Sequence, residues 1–322
     1  MTTETFAALS ILFVCWIILV ILDVTVCGML YGIFKISFRK AFLYGLVSLF
    51  IPPLCFAYGS LIERNRVQVN EVEISSAEVP EGFDGYRIVH ISDIHARSFQ
   101  KRRKVLEKMA ARINGLDADL IAFTGDIITM DSSELDSLSH ILKGLEAKDG
   151  VMSVLGNHDY CIYAHPEAAD DDVRKVIEKE KAMGWNVLID ENRRITRGKD
   201  TIAVIGVENT SPSRHFPSKG DLAKASEGTE GLFRILLSHD PMHWDMEVLG
   251  KSYPLTLSGH THAMQFALGK WCPSKYMFRQ YRGLYTVNSQ HLYVNIGLGE
   301  TIFPARIGAV PEITLITLKR DS

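Results

Sequence analysis

The sequence predicts an α/β domain carried behind two membrane-spanning helices. Three observations lead there. Two long uncharged stretches occupy the N-terminal region. From about Val67 onward, short runs rich in Val, Ile and Leu alternate with charged stretches of helical spacing. Five of those runs end in Asp, Asn or His. Strand–helix–strand alternation of this kind implies sheets buried between helices.

The first uncharged stretch is Phe6–Leu22, continued after Asp23 by Val24–Phe34; the second is Ala41–Leu61. A bilayer span needs roughly 20 apolar residues at ~1.5 Å each, and both stretches meet that. The opening "MTTE" lacks the basic segment of a cleaved secretory leader, so the first stretch reads as a retained helix. Pro52-Pro53 predicts a kink or break inside the second span. Asp23 either makes a polar contact with the other helix or lies near the interface. We therefore expect a membrane anchor over 1–66 and one domain over 67–322. Lys35, Arg39 and Lys40 lie between the spans, whereas the N-terminal tail carries no Lys or Arg. The positive-inside rule then places the domain on the extracytoplasmic side of the cell membrane, although Arg64 and Arg66 pull the other way.

Composition narrows the class further. With 47% hydrophobic residues, 23% charged and a formal net charge of −3, the chain is neither disordered nor a bulk-charge nucleic-acid binder, and no nucleic-acid partner is expected. Its five cysteines, Cys15, Cys27, Cys55, Cys161 and Cys272, form no C-x-x-C pair and no disulfide framework.

Eight strands are expected: 86–92, 119–125, 150–156, 201–207, 233–239, 254–259, 291–297 and 312–319. They are bounded by Gly, Asp, Asn or Pro. Residues 101–114, 133–147 and 170–184 have helical spacing, with acids or Ser near their starts and Gly or Asn at their ends. There is no internal repeat and no low-complexity tract.

The chemistry gathers at strand ends. "VHISDIH" places Asp93 and His95 two residues apart, and "AFTGD" ends on Asp126. "SVLGNHD" supplies Asn157, His158 and Asp159; "LLSHD" supplies His239; "LTLSGHTH" supplies His260 and His262. In open α/β sheets, ligands bind beyond the carboxyl ends of strands, so separate strand ends can converge. Residues two apart on an extended segment point the same way. Glycines before Asp126, Asn157 and His260 permit close backbone approach. Singly, each Asp or Asn would read as a helix cap or a turn residue. Seven O- or N-bearing residues in this order read as a metal site. With no thiolate among them, Mn, Fe or Zn suits the donors better than Mg alone.

This pattern resembles the calcineurin-like metallophosphoesterases, whose signature is D-x-H, G-D, G-N-H-D/E, H and G-H-x-H. The match is complete over residues 93–262, and Ala263 stands where many relatives carry glycine. The anchor together with "SVLGNHDY" and "LSGHTHAMQF" looks closest to a membrane-associated bacterial branch that includes enzymes resembling UDP-diacylglucosamine pyrophosphatase. The resemblance implies a four-layer sandwich, two mixed β-sheets flanked by helices. It implies two divalent metal ions, one held by Asp93, His95, Asp126 and His262, the other by Asp126, Asn157, His239 and His260. It implies a metal-dependent phosphoesterase in which a hydroxide between the ions attacks phosphorus. It gives His158 contact with the phosphate or the leaving oxygen. Asp159 then either orients the His158 ring or stabilises the turn.

Substrate signals are weaker. Segment 269–285 interleaves Trp271, Tyr276, Phe278, Tyr281 and Tyr285 with Lys and Arg, which suits a lipid headgroup, a nucleotide or the membrane interface, or simple loop packing. The loop 211–228 carries no readable chemistry, and His215 in it is expected to be solvated. A phosphorylated or nucleotide-linked substrate, lipid-borne because the domain is tethered, is the expectation. Monoester, diester and pyrophosphate cleavage share these ligands, and the choice among them stays open. The alternative class is a non-catalytic, membrane-tethered metal-binding interaction domain.

Overall fold

The structure is a computed structural model that describes residues 3–163 and 166–321. Its N-terminal part is helical: α1 (Thr3–Phe34), α2 (Phe38–Gly45), a tighter 3-10 turn at Leu46–Phe50, and α3 (Ile51–Leu61). The segments Ser10–Phe34 and Phe38–Asn65 are long and apolar enough to cross a membrane, and their side chains are almost all exposed. α1 runs unbroken through Asp23. Asp23 lies against Gly45, where a Cβ would collide with its carboxylate, so it contacts the second segment. The expected break is also present. Pro52 and Pro53 occupy the first turn of α3, where their missing N–H groups cost nothing.

The remainder holds twelve strands. These are β1 (Gln68–Ser76), β2 (Arg87–Ile91), β3 (Leu120–Phe123), β4 (Val151–Ser153), β5 (Asn186–Val187) and β6 (Glu191–Arg197), followed by β7 (Asp200–Gly206), β8 (Phe233–Leu237), β9 (Leu255–Ser258), β10 (Gly283–Val287), β11 (Gln290–Val294) and β12 (Glu312–Arg320). They form two six-stranded sheets, ordered β1-β12-β2-β3-β4-β5 and β10-β11-β9-β8-β7-β6. Both are mixed: β2 to β5 run parallel with β12 antiparallel beside them, and β7 to β9 run parallel between antiparallel β6 and the β11–β10 pair.

Period-two alternation builds the layers. Along β2 and β3, Ile88, Leu120 and Ala122 face the second sheet, where they meet Val204, Ile235, Leu237 and Leu257. Val89, Ile91, Ile121 and Phe123 face outward onto α4 (Arg103–Asn114) and a later helix, Ala169–Ala182. Outside the second sheet, Ile205, Leu236 and Val294 pack under Leu222, Trp244 and Val248, which belong to single short helical turns. The four-layer sandwich therefore holds, with one thin outer layer.

The expected strands are all present. The four that the sequence did not announce, β1, β5, β6 and β10, are the four sheet edges. An edge strand buries little, so polar residues such as Glu71, Arg193 and Thr286 can fill it and no apolar run marks it. The helix expected over 133–147 is reduced to a turn at Ser132–Leu135 and one at Ser139–Leu142. The buried Glu134 carboxylate accepts the N–H groups of Thr129, Met130 and Arg97, pinning this segment to neighbouring loops. Ser139 Oγ donates back to Leu135 O, a local bond that competes with regular helix.

Leu237 lies between the sheets without exposure. Leu237→Ala should cost roughly 2–5 kcal/mol through lost contacts and a cavity. Thermal unfolding of the full chain should show the drop, and an unchanged Tm would mean that the two sheets are not closely packed there.

Candidate metal centre

Five strands deliver the site. Asp93 and His95 follow β2, Asp126 follows β3, Asn157 and His158 follow β4, His239 follows β8, and His260 and His262 follow β9. Each sheet contributes from the carboxyl ends of its parallel strands, so the residues meet at one end of the sandwich. Asp93, His95 and His262 offer ligand atoms within 4.8 Å of one another, and so do Asp126, His239 and His260.

Asp126 joins the two groups. Its Oδ2 lies 3.6 Å from His95 Nε2 and 3.2 Å from His239 Nε2. His262 Nε2 lies 3.2 Å from Asp93 Oδ1 and 3.0 Å from His95 Nε2. His239 Nε2 is 3.2 Å from both Asn157 Oδ1 and His260 Nδ1. The outer atoms of these rings set their tautomers. His239 Nδ1 donates to Thr124 O at 2.7 Å, because a carbonyl can only accept. Its Nε2 therefore carries a lone pair in the neutral ring, facing the Asn157 oxygen. Two acceptors so close need a cation between them. The donor set of carboxylates, imidazoles and one amide oxygen, with no thiolate, fits divalent ions of intermediate softness.

The electrostatics agree. Burial works against a charged His239, but the Asp126 carboxylate outweighs it and raises the ring to about 10. Burial would likewise raise Asp126, yet the His239 and His158 imidazoles hold it well below the usual carboxylate range. Protons here substitute for the positive charge that the carboxylates demand.

The backbone is bent to reach this arrangement. Asp93, His95, Asp126, His260 and His262 all have φ between 45° and 72°, each costing a non-glycine residue roughly 1–2 kcal/mol. A Cβ on Gly156 would sit 2.6 Å from the Asp126 nitrogen, and one on Gly259 would collide with Ser92 and Asp93. Ala263, at φ 49°, does more than add a methyl group. It takes a left-handed backbone that glycine would adopt freely, and its buried methyl offsets this by packing with Ala267, Cys272, Ile296 and Ala309.

His158 and Asp159 separate in role. His158 Nδ1 donates to Thr129 O at 2.7 Å, leaving Nε2 for the cavity. The orienting role considered for Asp159 is not what the structure contains. Its buried carboxylate accepts the N–H groups of Asp126, Ile127, Ile128 and Gly156 at 2.7–3.2 Å. It ties the loops after β3 and β4 together, and Thr129 aims the histidine.

The cavity at the centre is about 520 Å³, lined by His158, His260 and His262 with Tyr163, Phe216 and Ile302. Phe216 belongs to the loop that seemed to carry no chemistry; its ring meets His260 edge-on at 5.1 Å. Phe278, from the aromatic segment, meets the same ring at 5.6 Å. Trp271 and Tyr276 of that segment are exposed, as is His215.

Comparison with known families follows from this geometry. The family model of calcineurin-like phosphoesterases matches residues 86–264. The chain belongs to this family. It is 32% identical over 275 residues to an uncharacterised metallophosphoesterase of Bacillus subtilis, covering 82% of this chain and 90% of that one. It is 32% identical over 296 residues to a transmembrane protein with a metallophosphoesterase domain from Danio rerio, covering 88% of this chain and 64% of that one. Over 113 residues it is 32% identical to a UDP-2,3-diacylglucosamine pyrophosphatase of Chlamydia trachomatis, covering 35% and 34% of the two chains. As a calcineurin-like phosphoesterase, the protein is a metal-dependent phosphoester hydrolase.

In this calcineurin-like phosphoesterase, one residue near the site escaped the sequence reading. Arg306 is fully buried, and its Nη2 lies 3.1 Å from His262 Nδ1 while its guanidinium donates to Gly299, Ile296 and Ala309 carbonyls. The usable signal was a single charge inside the otherwise uncharged 301–311. The same loop meets the anchor. Glu63 Oε1 accepts Gly308 N–H at 2.7 Å, Arg64 pairs with Glu300 at 2.9 Å, and a Cβ on Gly59 would lie 2.7 Å from Arg306 O.

Asp159→Ala would strand four buried N–H groups, a loss of at least about 3 kcal/mol. We expect a lower Tm for Asp159→Ala and a smaller drop for Asp159→Asn, which keeps an acceptor. Equal stability of all three proteins would refute the tie between the loops.

Proposed function

We propose that this protein is a membrane-anchored phosphohydrolase with two divalent cations, Mn, Fe or Zn, cleaving a phosphoester or pyrophosphate bond on a lipid-linked substrate. The observation that carries it is Asp126 Oδ2 facing one imidazole from each ligand group. Asp93, His95, Asp126 and His262 would hold one ion, and Asp126, Asn157, His239 and His260 the other. When bound, the ions supply Lewis-acid stabilisation of phosphoryl charge and activate the attacking water.

The chain's own groups do the rest. Asn157 is turned by Tyr163, whose hydroxyl accepts its amide N–H at 2.9 Å, so that its oxygen faces His239. Phe216, Tyr163 and Ile302 exclude water from the cavity and contribute apolar contact. His158, with its Nδ1 proton committed to Thr129, can donate from Nε2 only as the imidazolium. A phosphate dianion in the cavity favours that form. It would then give its proton to the departing oxygen.

Residues 1–66 form the anchor in this reading and 67–322 the catalytic domain, facing the extracytoplasmic side. The basic residues Lys35, Arg39 and Lys40 between the spans support that orientation. The docking of Glu63 and Arg64 on the 299–309 loop supports an active site held close to the bilayer.

Asp126→Asn tests the proposal. Bound metal should fall for both ions and hydrolysis should vanish while the domain stays folded. Two ions bound with normal turnover would overturn the shared-carboxylate reading. His158→Ala should keep both ions and slow hydrolysis by roughly 10²–10⁴. That loss should shrink for a nitrophenolate leaving group, which departs without a proton. Equal losses across leaving groups would place His158 on the phosphate instead.

A further inference from the structure

Beside the reaction cavity lies a second one of about 370 Å³. The two share Arg97, Thr129 and Thr301 as a common wall. The second cavity is strongly basic: Arg64, Arg97, Lys101 and Arg102 line it against a single carboxylate, Glu300. That carboxylate is already committed to Arg64 and Arg102. The two arginines are fixed further, Arg64 on Pro304 O and Arg102 on Ser98 O and Asn65 Oδ1. They form a stiff wall, and the Arg64 Nε proton is buried there without an acceptor. Arg97 and Lys101 stand at the exposed rim.

An excess of guanidinium and ammonium groups around a concave space, with an unanswered donor in it, is the chemistry that recognises phosphate oxygens. No ligand candidate reaches into this cavity, so it is a place for binding and not for cleavage. Its wall includes Arg64, two turns beyond Ser60 of the anchor helix side and docked against the loop that carries Thr301. A group held here would lie between the reaction centre and the membrane.

Resting on the phosphohydrolase reading above, we propose that the basic cavity is a subsite for a second phosphate of the substrate, one that is bound and not hydrolysed. The substrate class is then a pyrophosphate diester or a headgroup with two phosphates. The exposed Ile302 at the boundary, beside Phe303 and Pro304, gives the connecting carbons an apolar ledge. A single-phosphate ester would fill only the metal cavity and gain nothing from Arg97 or Lys101.

The test uses the full chain in detergent, with Mn, and a double variant, Arg97→Gln with Lys101→Gln. Calorimetry with methylenediphosphonate, which carries two phosphorus groups and is not hydrolysed, should show at least tenfold weaker binding to the variant. Methylphosphonate, with one, should lose much less. Equal losses for the two probes, or none for either, overturn the subsite. Hydrolysis provides the second arm, with diadenosine pyrophosphate, cytidine-diphosphate diacylglycerol in vesicles, and bis(p-nitrophenyl) phosphate. The preference for the two-phosphate compounds over the last should fall at least tenfold in the variant, mainly through KM. A fall for both pyrophosphates assigns recognition to the phosphate itself, and a fall for the vesicle substrate alone assigns it to the lipid headgroup. A wild-type protein that cleaves nothing but shows the binding difference would sink the hydrolase reading and leave the subsite standing.

Discussion

The structure depends on keeping one buried carboxylate, Asp126, charged and in place. Its Oδ2 faces His95 and His239, while Oδ1 accepts the His158 N–H at 2.8 Å. Burying a carboxylate beside a second one, Asp93, is unfavourable unless positive charge or donors surround both. The fold meets that need in two ways. Imidazoles arrive from both sheets, and backbone N–H groups are aimed by left-handed turns at the strand ends. Asp159 holds those turns from behind. The strain at five ligand candidates persists because buried sheets fix both sides of every turn.

The anchor is part of this framework as well as a tether. Gly59, Glu63 and Arg64 meet the 299–309 loop, which in turn holds His262 through Arg306 and the 262–267 turn through Gln265. Gln265 donates to Phe303 and Ala305 carbonyls and accepts the Thr301 N–H. Contacts this continuous make the end of the second apolar helix a neighbour of the metal loop. A domain cut free at Val67 would lose the Glu63 and Arg64 bonds, so tethering and site geometry are physically linked here.

The positions of the site residues in the sandwich follow from a simple division. Parallel inner strands must be buried on both faces, so they read as apolar runs, and their ends are where polar chemistry can begin. That is why Asp93, Asp126, Asn157, His239 and His260 could be picked out from sequence. Edge strands carry no such constraint, and β1, β5, β6 and β10 stayed silent. Phe216 and Phe278 also stayed silent as site residues, because an aromatic in a polar loop announces nothing about the ring it will touch.

The sequence by itself determined the α/β class, the inner strands, the two apolar helices and the order of the ligand candidates. These are local properties: period, run length and residue type at a strand end. Only the tertiary structure decided what each side chain faces. It assigned Asp159 to backbone N–H groups and Thr129 to His158, brought Arg306 to His262, and set a basic cavity beside the reaction cavity. Those pairings join residues far apart in the chain, and their geometry is fixed by how two sheets and an anchor pack, which no local pattern encodes.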